Sequence, residues 1–168
     1  GTLNAAELLA VADTVRGGRK LRRFLETYLE KHASPILGAL AQGVAELRHL
    51  EDELRRCIDD NGFVVDTASD ELYQIRRELR TGEARVREKL ESMLRMGSVL
   101  KMLQDALITV RNDRFVIPVK SEYRSVFGGI VHDQSASGAT LFIEPEQVVP
   151  LNNRLRELKV REEREIEK

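Results

Sequence analysis

Residues 111–145 read RNDRFVIPVKSEYRSVFGGIVHDQSASGATLFIEP, and the reading of this stretch decides the fold. Apolar and polar side chains alternate in it with a period of two, the spacing of a strand. Residues 107–111 and 114–120 predict two strands, with Asn112-Asp113 as the two-residue turn of a hairpin. Phe115, Ile117 and Val119 share one face of the second strand, while Val116 and Lys120 point the other way. Pro118 has no N–H for a ladder, which favours an edge strand or an outward-facing nitrogen. Gly128-Gly129 precede a third strand over 130–134, and a tight connection over 135–138 leads to a fourth over 139–144. The expected result is a small antiparallel sheet at the tip of two helices.

The flanks of this stretch change to helical spacing. Upstream, residues 69–96 predict the longest helix, with Ser69 as its cap and Asp70 and Glu71 in its positive first turn. Leu72, Ile75, Leu79, Val86, Leu90 and Met93 recur on it at heptad-like steps. Such a narrow stripe buries against one partner helix. At 1.5 Å per residue the helix is roughly 40 Å long. Gly82 marks a possible bend in it, and Gly97-Ser98 should interrupt it before a brief turn over 99–103. Downstream, Glu144-Pro145-Glu146 ends the sheet, and Leu151, Leu155, Leu158 and Ile166 form the matching stripe of a returning helix, with Pro150 at its start. Because the return is short, Leu72, Ile75 or Leu79 should be left exposed, and self-association through them is expected.

Residues 1–68 read as short packed helices. Asn4 with Glu7 makes a capping box, with Leu3 placed as a staple. Gly17-Gly18 predict a stop or kink before a second helix over 19–32, and Ser34-Pro35 open a third. Leu37, Leu40 and Val44, then Leu47, Leu50, Leu54 and Ile58, carry the apolar faces onward. Asp60-Asn61-Gly62 is a turn, and residues 63–65 are a short extended segment docked on the bundle. The fold class is therefore mainly α with a small antiparallel sheet. Its parts are a helical core (1–68), an outgoing lever helix (69–106), a four-stranded clamp (107–145) and a returning lever helix (146–168).

Composition narrows the function classes. The 168 residues are 33% charged, with 27 basic and 28 acidic side chains and a net charge of -1, so nucleic-acid contact needs local basic faces. Cys57 is the sole cysteine, which excludes an intrachain disulfide and fits a cytoplasmic setting. No apolar run approaches the ~18 residues of a membrane span. The chain starts Gly-Thr-Leu and ends within a charged helical run, so a piece of a longer protein is expected.

Candidate chemistry is sparse. His132, Asp133, Ser135 and Ser137 invite a hydrolase reading, but adjacent strand residues diverge and no nucleophile elbow surrounds the serines. Ser135, Ser137 and Asp133 are better read as turn hydrogen-bonding groups, with Gly138 at positive φ. His32, His49 and His132 lack metal spacing, and GxxxxGK[ST] is absent, so neither catalytic residues, metal nor cofactor is expected in this chain. Basic residues cluster twice. Arg16, Arg19, Lys20, Arg22 and Arg23 read as a solvated helix face. Arg111, Arg114, Lys120 and Arg124 on the sheet are the candidate nucleic-acid-binding residues, diluted by Glu122 and Asp133.

The run from Arg111 to Pro145, with VVPLNNRLRELKVREEREIE after it, resembles the MutS family. VHDQSASGATLFIEP is most similar to its second bacterial branch, the MutS-two paralogues that carry an Smr nuclease domain. LNAAELLAVADTVRGGRKLRRFL, IDDNGFVVDTASDELYQIRRELR and LQDALITVRNDRFVIPVK agree, so the resemblance covers essentially the whole chain. It implies a helical core, long levers and a β clamp that grips nucleic-acid backbone. It also implies a homodimeric parent whose ATPase, using ATP and Mg, and Smr endonuclease lie outside this chain. The implied partners are DNA, including branched DNA in the suppression of recombination, or the ribosome and its rRNA in the rescue of stalled translation. The chain itself is expected to be non-catalytic, and a protein-docking arm on the ribosome is the alternative.

Overall fold

Asn4 starts the first helix. Its side chain accepts from the Glu7 N–H at 3.0 Å and its own N–H donates to Glu7 at 2.8 Å, closing the capping box. Leu3 stays exposed and closes no staple. The computed structural model describes residues 2–168, which divide into two compact units, one up to Asp70 and one from Glu71 to Lys168.

The first unit holds α1 (Ala5–Leu29), α2 (Pro35–Gly43) and α3 (Arg48–Cys57). The helix expected to stop at Gly17-Gly18 runs through both glycines. Two interior glycines cost about 1 kcal/mol each, but the turn beyond them is tied down. Arg19 donates to both oxygens of Glu51 at 2.9 and 3.1 Å, and Arg22 donates to the Val44 carbonyl at 3.0 Å. These bonds hold α1 against α3 and the end of α2. They also correct the expected apolar face of α3: Leu47 and Leu50 are exposed, while Glu51 is buried as the acceptor for Arg19. Ser34 accepts from the Leu37 N–H and Pro35 opens α2, as the sequence predicts. After α3 the chain makes an Asx turn, with Asp59 accepting from the Asn61 and Phe63 N–H groups, each at 2.9 Å. Val64 then bridges Ile58, which docks the extended segment.

The second unit starts on α4 (Asp70–Leu94), about 37 Å long at 1.5 Å per residue. All six predicted stripe residues, Leu72 to Met93, are buried. The expectation that Leu72, Ile75 or Leu79 would be left exposed is therefore overturned. The returning helix, α7 (Val149–Ile166), reaches back far enough, because Arg161 pairs with Glu71, Arg76 with Glu162 and Arg154 with Glu78. Exposed pairs of this kind are worth ~0–1 kcal/mol each, so they set the antiparallel register while the apolar stripe supplies the adhesion. Self-association through that stripe loses its basis. Pro150 sits in the first turn of α7.

Gly82 is a crossing point in an unbroken helix. A Cβ there would lie 2.7 Å from Leu155 Cδ2 on α7. Gly82→Val is expected to lower stability by about 2 kcal/mol through overpacking. A urea midpoint equal to that of the parent chain would show that Leu155 can swing aside.

The helix breaks at residues 95–96, so Gly97-Ser98, expected to be the interruption, instead open the short α5 (Gly97–Leu100), which leads into the sheet. Its strands are β1 (Thr109–Arg111), β2 (Arg114–Lys120), β3 (Ile130–Gln134) and β4 (Thr140–Glu144), with α6 (Arg124–Phe127) between β2 and β3. The order is β1-β2-β4-β3 and every pair is antiparallel. Asn112 and Asp113 both have positive φ, 51° and 59°, the geometry of the predicted two-residue hairpin turn.

β2 is an interior strand, which overturns the edge-strand alternative for Pro118 and leaves the other, a nitrogen outside the ladder. Its flank is shared by β1, which pairs with residues 114–116, and by residues 102–104. The Gln104 N–H donates to the Pro118 carbonyl at 2.9 Å and the Lys120 N–H to the Met102 carbonyl at 2.8 Å. The proline nitrogen falls between those two partners, where no ladder bond is made.

Both faces of β2 are buried. Phe115, Ile117 and Val119 join Leu141, Ile143, Leu155, Leu158 and the α4 stripe in one core, and the Arg87 guanidinium lies 5.1 Å over the Phe115 ring. The sheet is thus rooted in one core with α4 and α7.

Candidate nucleic-acid interface

The four basic residues singled out on the sheet go to different places. Arg114 is buried, and its guanidinium grips both oxygens of the fully buried Glu144, with Nε at 2.9 Å. Arg114 is therefore withdrawn from the phosphate-facing set: its charge is neutralised inside the protein. Arg111 is half-buried. It pairs with Asp133 at 3.1 Å, donates to the Val110 carbonyl at 2.8 Å and lies 4.1 Å over the Phe142 ring. Lys120 and Arg124 stand at the opposite end of β2, at its last residue and four residues on.

Glu144 organises the Arg114 end. His132 Nε2 donates to it at 2.6 Å and Asn152 Nδ2 at 3.1 Å, so one carboxylate joins β2, β3, β4 and α7. Burial pushes the Glu144 carboxyl up, but hydrogen bonds from Arg114, His132 and Asn152, with the Arg114 charge, hold it below the usual carboxylate range. His132 reaches Glu144 because β3 is irregular there, with a register shift between Val131 and Asp133. Asn152 has a second task. By the β2–β4 register Phe115 would face Pro145, which has no N–H. The Asn152 amide takes that place, accepting from the Phe115 N–H at 3.3 Å and donating to its carbonyl at 3.2 Å.

The edges of the sheet also meet. Asn112 in the β1–β2 turn donates to the His132 carbonyl on β3 at 3.0 Å, beside the Arg111–Asp133 pair. The sheet therefore curls until its outer strands touch through side chains.

At the other end the structure adds a cation that the sequence reading missed. Residues 102–104 pair with the end of β2, so Lys101 lies beside Lys120, whose Nζ donates to the Lys101 carbonyl at 3.4 Å. Among the described residues, Lys101, Lys120 and Arg124 form no ion pair, and Lys101 and Arg124 are exposed. The β3–β4 turn belongs to the same end, because Lys120 pairs with Thr140 and the Ser121 N–H donates to the Ala139 carbonyl at 2.9 Å. The only local signal for Lys101 was the short apolar run Met102-Leu103 before the strands, which gives no pairing partner.

The serines serve the turn. Ser135 Oγ accepts from the Thr140 N–H at 3.1 Å, Ser137 Oγ from the Ala139 N–H at 3.4 Å, and Gly138 has φ of 71°. His132 Nε2 is held by Glu144, while the hydrogen bonds of Ser135 and Ser137 stay within the turn. A nucleotide site does not fit the glycine pair either: Gly17 and Gly18 lie inside α1, with Arg19 held by Glu51.

No family model matches the chain. Individual relatives do. It is 55% identical over 170 residues to an endonuclease MutS2 of Halalkalibacterium halodurans and 58% identical over 162 residues to one of Brevibacillus brevis. It is 57% identical over 169 residues to one of a Geobacillus species. The chain belongs to the MutS2 branch of the MutS family. These alignments take in 96–100% of the chain but only 21–22% of each MutS2 relative, so the chain spans about a fifth of their length. Residues 131–145 carry His132, the β3–β4 turn and Glu144. Among the described residues no helix is long and apolar enough to cross a membrane.

Proposed function

We propose that the second unit is a nucleic-acid clamp of a MutS2-type protein, gripping the backbone of DNA, including branched DNA, without cutting it. The observation that carries this reading is the set of three cations, Lys101, Lys120 and Arg124, without acidic partners at one end of the sheet. Phosphate oxygens are the complement of such a set, and the exposed Ser135–Gly138 turn beside it adds a polar edge. α4 and α7 act as levers that carry motion between this grip and the ATPase that the family resemblance places outside the chain. The endonuclease in the relatives' name is assigned to parts of a MutS2-length protein beyond these residues.

The reading is tested by fluorescence anisotropy with a four-way DNA junction and plain duplex at two salt concentrations. The parent chain is expected to bind with strong salt dependence. Changing Lys101, Lys120 and Arg124 together to Ala should flatten the slope of log K against log salt by about 2–3, near 0.9 per lost phosphate contact. Circular dichroism should stay unchanged. An unchanged slope would remove this end of the sheet as the site. Binding to ribosomes that survives high salt would instead favour the docking-arm alternative.

A further inference from the structure

The sheet has a second face, opposite the one that joins the core. Phe115, Ile117 and Val119 go to the core, so Val116, Pro118 and Lys120 point the other way. The register places Phe142 beside Pro118, Asp133 beside Phe142 and Thr140 beside Lys120 on that second face. Val116 and Pro118 are buried there, while Phe142 and Lys120 keep part of their surface open.

Arg111 lies across this face. Its guanidinium sits 4.1 Å over the Phe142 ring. Three hydrogen bonds fix it there: Nε donates to Asp133 at 3.1 Å, and Nη1 donates to the Thr109 hydroxyl at 3.1 Å and to the Val110 carbonyl at 2.8 Å. Nη2 has no hydrogen-bond partner among the described residues, and the side chain is 36% exposed. A flat group is thus held from below and along its edges, with part of its surface left to solvent.

The charge of Arg111 is offset by Asp133, and a phosphate placed here would meet that carboxylate. What Arg111 offers a ligand is its plane and the free Nη2 donor. Guanidinium planes and aromatic rings are the groups on which unpaired bases stack, whereas a base inside a duplex has both faces covered by its neighbours. Lys120 supplies a backbone contact for such a base. It stands on the same face two residues along β2 from the Pro118–Phe142 pair, about 7 Å away at the rise of an antiparallel strand, a distance that one nucleotide spans.

We propose that Arg111, backed by Phe142, is a stacking platform for an unpaired DNA base, so that the sheet favours DNA opened at a branch or gap. This rests on the nucleic-acid reading above and adds the feature of the DNA that is recognised.

Fluorescence anisotropy compares an intact duplex with the same duplex carrying a short single-stranded gap of thymidines. The chain should bind the gapped form at least about 5-fold tighter, the low end for one stacked base. Arg111→Lys keeps the cation and loses the plane, so this ratio should fall to about one, while the slope of affinity against salt keeps its parent value. Phe142→Leu leaves the Arg111 charge and removes the backing ring, and should lower the ratio as well. A parent chain that binds both DNAs equally, with salt dependence, would overturn the platform and leave the clamp reading standing. A chain that binds neither would overturn both. A full gap preference kept in either variant would overturn the platform, by assigning the preference to the easier bending of gapped DNA. Hydrogen exchange of the β2 and β4 amides confirms that the sheet of each variant is folded.

Discussion

Gly129→Ala is expected to destabilise the sheet unit by about 4 kcal/mol, combining backbone strain and a hard overlap. Gly129 has φ of 75°, a conformation that a side chain resists. The added Cβ would lie 2.4 Å from the Glu144 carbonyl oxygen and 2.9 Å from Ile143 Cγ2. Neither neighbour can yield cheaply, because the first is main chain of β4 and the second belongs to a fully buried residue. β3 would have to peel from β4, which also breaks the reach of His132 to Glu144. Hydrogen exchange of the β3 and β4 amides is the appropriate readout, since helical circular dichroism sums both units. A domain near 100 residues loses about 4–8 °C in melting temperature per kcal/mol, so the shift should be large. Parent-like protection of those amides would show that the β3 entry can be rebuilt without glycine.

Glu144→Ala is expected to cost about 3–5 kcal/mol, the effect of removing one partner of a buried pair. The carboxylate is the common acceptor for Arg114, His132 and Asn152, and its loss strands the Arg114 guanidinium in the interior. Replacing both residues, as Glu144→Ala with Arg114→Leu, should recover part of that loss, because the stranded charge is gone. A double variant no more stable than the single one would show that packing, not charge, dominates the position. The same site sets an acid limit. Because the folded Glu144 carboxyl is held below its ordinary value, its contribution is fully present above about pH 4.3 and is lost as pH falls through the lower folded value. Stability of the sheet unit should fall across that acidic window, and Glu144→Gln should remove this component of the pH dependence. An equally steep acid profile in the Gln variant would assign the loss to other carboxylates.

Local spacing made much of the fold legible. The alternation over 114–120 and 130–134 gave strands at the bounds observed, and Asn112-Asp113 gave the hairpin turn. The stripe from Leu72 to Met93 gave the long helix and its buried face. These features rest on neighbours within a few residues, where backbone geometry dictates which side chains share a side. The failures also have a physical cause. Gly17-Gly18 looks like a stop until Arg19 and Arg22 are seen to anchor the next turn to residues 22 or more positions away. Pro118 looks like an edge residue until residues 102–104 and β1 are seen to leave a gap at its nitrogen.

The candidate interface was legible only in part. Periodicity marked Arg111, Arg114, Lys120 and Arg124 as basic residues of a sheet, and could say nothing of what each one faces. Arg114 alternates with Phe115 along β2, so a sheet covered on one side would have sent it to solvent. Instead both faces of β2 are covered, and Arg114 meets Glu144, 30 residues away. Lys101 enters the basic end only through pairing across the sheet. By itself, then, the sequence determined the strands, the hairpin turn, the long helix α4 with its apolar stripe, and the family, because those depend on local order and composition. Only the tertiary structure decided which charges are neutralised inside and which remain for a partner. Burial and pairing of a charge depend on groups brought together from distant parts of the chain.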